Sequence, residues 1–196
     1  MEDKTRRKFL YTVASGMGAA GAAVTVVPFV RAMQPAADTL AASTTEFDFS
    51  TLTPGELKVI PWRGQPVFVL YRTPEMVKDI YGHNDLLLDP MSRAIPEVQA
   101  GWMKTDEQRI TRSIKPEYLV ISAVCTHLGC VPGFEPTPGQ KAWGDIVPKD
   151  WPGGFHCPCH GSNYDLAGRV FKDVPAPYNL HALPYKYIKE TTVLIG

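Results

Sequence analysis

The chain has 196 residues, and 20 Lys and Arg balance 20 Asp and Glu to give zero formal charge. That length holds one ordinary domain with an extension and excludes two large domains. The charge balance argues against the clustered basic face of a nucleic-acid-binding protein, and 18 Pro with 16 Gly favour turns and loops over a helical bundle. The four cysteines form two close pairs, Cys125 with Cys130 and Cys157 with Cys159. Such clustering points to metal binding rather than to a scattered disulfide framework.

In chain order, the first element is residues 9–30, from Phe9 to Val30, which carry no charge and are rich in Ala, Gly and Val. At 1.5 Å rise per residue this run spans about 33 Å, enough for a hydrocarbon core of about 30 Å. Lys4, Arg6, Arg7 and Lys8 precede it, while only Arg31 follows closely. The positive-inside bias therefore keeps residues 1–8 in the cytoplasm and sends the rest across. Thr5-Arg6-Arg7-Lys8-Phe9-Leu10 resembles the twin-arginine signal, which addresses proteins exported already folded. That suits a cofactor inserted before crossing and implies a bacterial source. The length of the run favours a retained single-pass anchor over a cleaved signal peptide.

Residues 31–45 are small and polar with one proline, and read as a flexible tether. Strand-like text begins near Glu46. Glu56 to Trp62 and Pro66 to Tyr71 predict a hairpin turning at Arg63-Gly64. Thr73-Pro74-Glu75 predicts an N-cap and a short helix over 74–81. Residues 82–115 are polar and without clear period, and predict a long surface insertion. Glu117 to Val124 predicts a buried strand that runs into the first cysteine pair, and Tyr185 to Ile188 with Thr191 to Ile195 a closing hairpin. The fold class is mainly β: a transmembrane helix, a tether, and an antiparallel β head over 46–196.

The chemistry sits in two loops, Cys125-Thr126-His127-Leu128-Gly129-Cys130 and Cys157-Pro158-Cys159-His160-Gly161-Ser162. In each, one cysteine and one histidine are close enough to face a common centre. Two thiolates can hold one iron and two neutral imidazoles the other, and exchanging thiolate for imidazole raises a [2Fe–2S] potential from about −400 mV to about −150 to +300 mV.

This pair of loops resembles the Rieske protein of the cytochrome bc family of quinol-oxidising complexes, and the resemblance extends over the anchor, tether and head. It implies a cluster-binding subdomain over about 122–177 and one Rieske [2Fe–2S] cluster, with Cys125 and Cys157 on one iron and His127 and His160 on the other. It further implies a disulfide between Cys130 and Cys159, which suits the exported side of the membrane. Ser162 and Tyr164 match hydrogen-bond donors to cluster sulfurs, which raise the potential. Pro175-Ala176-Pro177 matches a proline loop over the cluster, although Val174 stands where the family usually has glycine. Leu128, Gly129 and this proline loop would form the docking tip. The implied activity is quinol–cytochrome c oxidoreduction, in which the cluster takes one electron while a ligand histidine takes a proton. The implied partners are a cytochrome b subunit, a membrane-anchored c-type cytochrome, ubiquinol and the lipid bilayer, within a dimeric complex of the bacterial inner membrane whose head is periplasmic.

Two other readings compete. One keeps the cluster and places it in a periplasmic oxidase of the arsenite oxidase type. The other is a zinc-stabilised binding module, but four cysteines and two histidines overfill one zinc. Of the remaining histidines, His83, His156 and His181 share no ligand spacing and read as packed or exposed side chains. Trp62, Phe68 and Tyr71 read as core.

Overall fold

A computed structural model describes every residue except 1, 37–38, 40–42, 95–99 and 141–142. The chain divides into two compact units, residues 1–41 and 42–196. The first is dominated by one helix, α1 (Glu2–Ala32), which is solvent-exposed where its side chains are described. Its apolar stretch, Asp3–Ala32, is long and apolar enough to cross a membrane. The expected tether falls partly on 37–38 and 40–42, which lie outside the described residues; the helix itself continues two residues beyond Val30.

Among the described residues, the second unit is built from three antiparallel sheets of three strands each. The first has the order β1 (Thr45–Asp48), β9 (Thr192–Ile195), β8 (Tyr185–Tyr187). The second has the order β2 (Leu57–Trp62), β3 (Gln65–Tyr71), β4 (Tyr118–Ser122). The third has the order β5 (Gly133–Glu135), β6 (Gly154–Cys157), β7 (Ser162–Tyr164). The β2–β3 hairpin turns at Arg63 and Gly64 with φ of 49° and 73°. Positive φ at both central residues is the type I′ form, whose twist matches that of the strands.

The first two sheets enclose one core, with Phe49, Val69, Val120, Val193 and Ile195 fully shielded. Pro66 to Tyr71 and Tyr118 to Ser122 are buried on both faces or nearly so, which is why β3 and β4 read as continuous apolar runs rather than alternating ones. The opposite face of β3 and β4 presents Phe68, Leu70, Leu119 and Ile121 to a second core shared with Phe155, Tyr164, Val170 and Leu180. That core joins the third sheet to the rest, and Cys125 and Cys157 belong to it. Helix α2 (Pro74–Ile80) starts as expected, with Thr73 Oγ1 accepting from the Met76 N–H at 3.3 Å.

Residues 82–115 correct the expected surface insertion. The segment contains helix α3 (Asp106–Thr111) and buries Leu87, Ser92, Ala100, Met103, Thr111, Arg112 and Ser113. Arg112 reaches across the fold and donates to the carbonyls of Ala167, Gly168 and Leu180. Arg169 reaches back, donating to Asn84 Oδ1 at 2.8 Å, the Pro90 carbonyl at 3.0 Å and the Ile80 carbonyl. The Asp165 carboxylate faces Arg169 at 2.7 Å, both side chains being buried, and also accepts from the backbone N–H groups of Ala167 and Arg169. A desolvated pair of this kind is tolerated because each remaining donor has a carbonyl or amide oxygen to bond. The segment thus forms the frame behind the cysteine loops.

Candidate metal centre

Both cysteine loops are tight turns closed by the same backbone bond. The Gly129 N–H donates to the Cys125 carbonyl at 3.0 Å, and the Gly161 N–H donates to the Cys157 carbonyl at 3.0 Å. Each glycine has φ near +80° (86° and 80°), a conformation in which a Cβ is strained. That requirement explains the pattern Cys-x-x-x-Gly in both loops. A further bond from the Cys125 N–H to the Cys130 carbonyl, 2.8 Å, shuts the first loop. The first loop leaves β4, and the second joins β6 to β7.

The turns place their polar side chains at two depths. Cys125 and Cys157 are free thiols, each only 2% exposed, and both belong to the second core. Above them, His127 is half-buried and His160 exposed, with ring centroids 4.8 Å apart and nearly perpendicular planes. Cys130 and Cys159 are joined by a disulfide that ties one loop to the other. The sulfurs of Cys130, Cys157 and Cys159 lie within 4.8 Å of one another. As the chain stands, the disulfide occupies two of these three donors, which leaves Cys125 and Cys157 as the thiol ligands on offer.

Burial pushes the Cys157 thiol up, the nearby Cys125 thiol adds to this, and the backbone N–H groups of Cys159 and His160 oppose it. A buried pair of neutral thiols becomes a pair of thiolates only if a cation compensates the charge. The site therefore has the chemistry of a metal centre: two thiols below, two imidazoles above, and an apolar floor.

Tyr164, fully buried on β7, sets its hydroxyl 3.1 Å from Cys125 Sγ and 3.3 Å from both the N–H and Oγ1 of Thr126. Burial raises its phenol, with the Cys125 contact as a second cause, so it stays a protonated donor. Ser162 is also fully buried, and its Oγ accepts from the Ala176 N–H at 3.1 Å. Of the five expected tip residues, Leu128 is 70% exposed, and Gly129, Pro175 and Pro177 are exposed. Ala176 is 1% exposed and is corrected: its N–H is turned inward onto Ser162 rather than outward to a partner.

Sequence reasoning passed over Thr126, whose hydroxyl donates to the Tyr178 carbonyl at 2.6 Å and so ties the first loop to the chain just past the proline loop. It also passed over Asn179, which accepts from the Val170 N–H and donates to Asp89 O and Ser92 Oγ. Neither carries a spacing signal, because the partners lie 52 and up to 90 residues away. His156 is buried, with Nδ1 2.6 Å from Asn163 Oδ1 and its ring against Trp143, as a packed histidine. Trp62 and Tyr71 pack against the first core and Phe68 lies in the second.

Comparison with known proteins bears on this geometry directly. The profile of the Rieske [2Fe-2S] domain matches residues 93–184, and that of the ubiquitinol-cytochrome C reductase Fe-S subunit TAT signal matches residues 1–36. The ubiquinol-cytochrome c reductase iron-sulfur subunit of Allochromatium vinosum is 48% identical over 99% of this chain and 89% of its own length. The chain belongs to this family. The corresponding subunit of Rhodospirillum rubrum is 43% identical over 99% of the chain and 93% of its own length. A chain of a hyperthermophilic respiratory Complex III shares the fold, with a TM-score of 0.51 at 23% identity over 92% of this chain and 96% of that one. The cofactor of this Rieske subunit is accordingly a [2Fe–2S] cluster, and two buried thiols beneath two neighbouring imidazoles fit it in donor type and number. The zinc-module reading is excluded by that membership.

Proposed function

We propose that this Rieske subunit takes electrons from ubiquinol, one at a time, and passes them to a membrane-anchored c-type cytochrome, working beside a cytochrome b subunit in a dimeric complex. The observation that carries the reading is the stacking of depths at the two loops: buried Cys125 and Cys157 below, His127 and His160 at the surface, and Leu128 beyond them. Cys125 and Cys157 would hold one iron and His127 and His160 the other; when bound, the cluster supplies a one-electron acceptor of raised potential.

The chain's own residues account for the rest. An imidazole that binds metal through one ring nitrogen has the other available to accept a hydroxyl proton. His160 is exposed and His127 half-buried, so a quinol hydroxyl can approach from solvent or from an apolar pocket of a partner. Leu128, Gly129, Pro175 and Pro177 surround that approach with apolar surface suited to docking. Tyr164 meets Cys125 Sγ from the buried side, and the Ser162 hydroxyl, which accepts from the Ala176 N–H, would turn its own hydrogen to a cluster sulfur; such bonds favour the reduced state. The disulfide and the Thr126–Tyr178 bond hold both loops and the proline loop as one piece.

The domain boundaries proposed are a cytoplasmic segment over 1–8, an anchor over 9–30, a flexible tether over 31–45 and the head over 46–196, its cluster-binding part spanning about 122–177. Charge asymmetry about the anchor supports a periplasmic head on a bacterial inner membrane. The test is an electron paramagnetic resonance spectrum of reduced membranes with and without a quinol-site inhibitor. A Rieske signal that shifts with inhibitor is expected. A Rieske signal indifferent to it, without haem b or a c-type cytochrome in the purified complex, would favour the arsenite oxidase type of partner instead.

A further inference from the structure

We propose that opening the Cys130–Cys159 disulfide creates a second metal site, a trio of thiolates from Cys130, Cys157 and Cys159 that takes a soft divalent cation such as Zn2+. The inference stands on sulfur geometry and is separate from the electron-transfer reading.

The three sulfurs already lie within 4.8 Å of one another. A Zn–S bond of about 2.3 Å in tetrahedral geometry sets sulfurs roughly 3.8 Å apart, so on reduction the Cys130 and Cys159 sulfurs part from bonding distance while neither needs to move more than about an ångström from Cys157. Two of the three donors share the S–S bond in the oxidised chain and are unable to coordinate as thiolates. The loops do not depend on that bond for their local shape, since the Cys125–Cys130 and Cys157–Gly161 backbone bonds close each turn separately. The burial gradient provides entry: Cys159 is exposed, Cys130 half-buried and Cys157 buried, so a cation arrives from solvent and keeps an outward position for water.

Cys157 belongs to this trio and also to the buried pair with Cys125. One thiolate cannot complete both groups, so the trio and the cluster set exclude each other. A chain that carries a twin-arginine signal folds in a reducing compartment, where all four thiols are free. The disulfide, formed on the exported side, then acts as a guard as well as a clamp: two donors of the competing site are gone, so a head that loses its cluster there has no trio to offer a stray cation.

The test uses the full-length chain in detergent, freed of cluster and titrated with Cd2+ with and without a water-soluble phosphine. In the reduction, the phosphine becomes its oxide by taking the oxygen of one water and giving up two electrons. The S–S bond breaks, and the two sulfurs take those electrons and the two protons of that water as thiols. Thiolate-to-cadmium charge-transfer absorption counts the sulfur ligands. Three per Cd2+ are expected in the reduced chain, three in reduced Cys125→Ala, and two with at least tenfold weaker binding in reduced Cys159→Ala. A count of two that is lost in Cys125→Ala would overturn the proposal, because the cation would then sit on the Cys125–Cys157 pair. Equal binding by the oxidised chain, or the same count in every variant with circular dichroism of an unfolded chain, would overturn it as well.

Discussion

Tyr164 has one hydroxyl proton and three neighbours within 3.3 Å. The Thr126 N–H donates to the phenol oxygen, and the Thr126 hydroxyl donates its own hydrogen to the Tyr178 carbonyl. The Tyr164 proton is therefore directed either to Cys125 Sγ or to Thr126 Oγ1, and only the first acts on the cluster. Tyr164→Phe is expected to lower the cluster's reduction potential while leaving its spectrum of ligands intact, as read by a redox titration followed by electron paramagnetic resonance. An unchanged potential would make Tyr164 a packing residue. The residue's role was legible through family resemblance alone; its partner Thr126 sits between two ligands in the sequence, but nothing there announces a bond to Tyr178.

Elements matter here through what crosses between them. The disulfide joins two loops separated by 29 residues, and a cross-link over that separation stabilises by about 3–4 kcal/mol in the chain-entropy account. Cys130→Ser is expected to cost a comparable amount in denaturant titration and to make the cluster labile to chelators; a cluster as durable as in the parent chain would remove the clamp from the mechanism. The turn from β7 to the following chain depends on Asp165, which is 1% exposed against the equally buried Arg169. Asp165→Asn leaves that cation without its counter-charge and should destabilise the head by about 3–5 kcal/mol, seen as a lower unfolding midpoint with unchanged slope. The β2–β3 hairpin, α2, β4 and the closing hairpin were legible because turn residues, a cap and apolar runs are local signals. Residues 82–115 were not, because their buried members include Ser92, Thr111, Arg112 and Ser113. Such polar groups satisfy themselves on distant carbonyls and leave no apolar period to read.

At the scale of the whole molecule, the proposed reaction asks the head to meet a quinol donor and a cytochrome acceptor in turn. Shortening or stiffening residues 33–45 is expected to slow turnover of the complex and leave the cluster spectrum unaltered. A turnover rate indifferent to both changes would mean that the head needs no reach. Fold class, cofactor and family were all legible from two short loops and one apolar run, since ligand chemistry fixes residue type and spacing while a membrane fixes length. Ala176 shows where that legibility stops: the resemblance implies a proline loop over the cluster, yet only the structure shows its central residue turned inward onto Ser162.

The sheet β1–β9–β8 joins strands from the two ends of the head's sequence. Its middle strand, β9 (Thr192–Ile195), pairs on one side with β1 (Thr45–Asp48) from the start of the head and on the other with β8. During synthesis, β1 and β8 wait without this hydrogen-bonding partner until β9 has been made. A chain that stops short of β9 is consequently an incomplete sheet with open edges. Export on a signal that addresses folded proteins is therefore expected to require β9: a chain truncated before Thr192 should stay behind in cell fractionation, and normal export of that truncation would show that the sheet is dispensable for it.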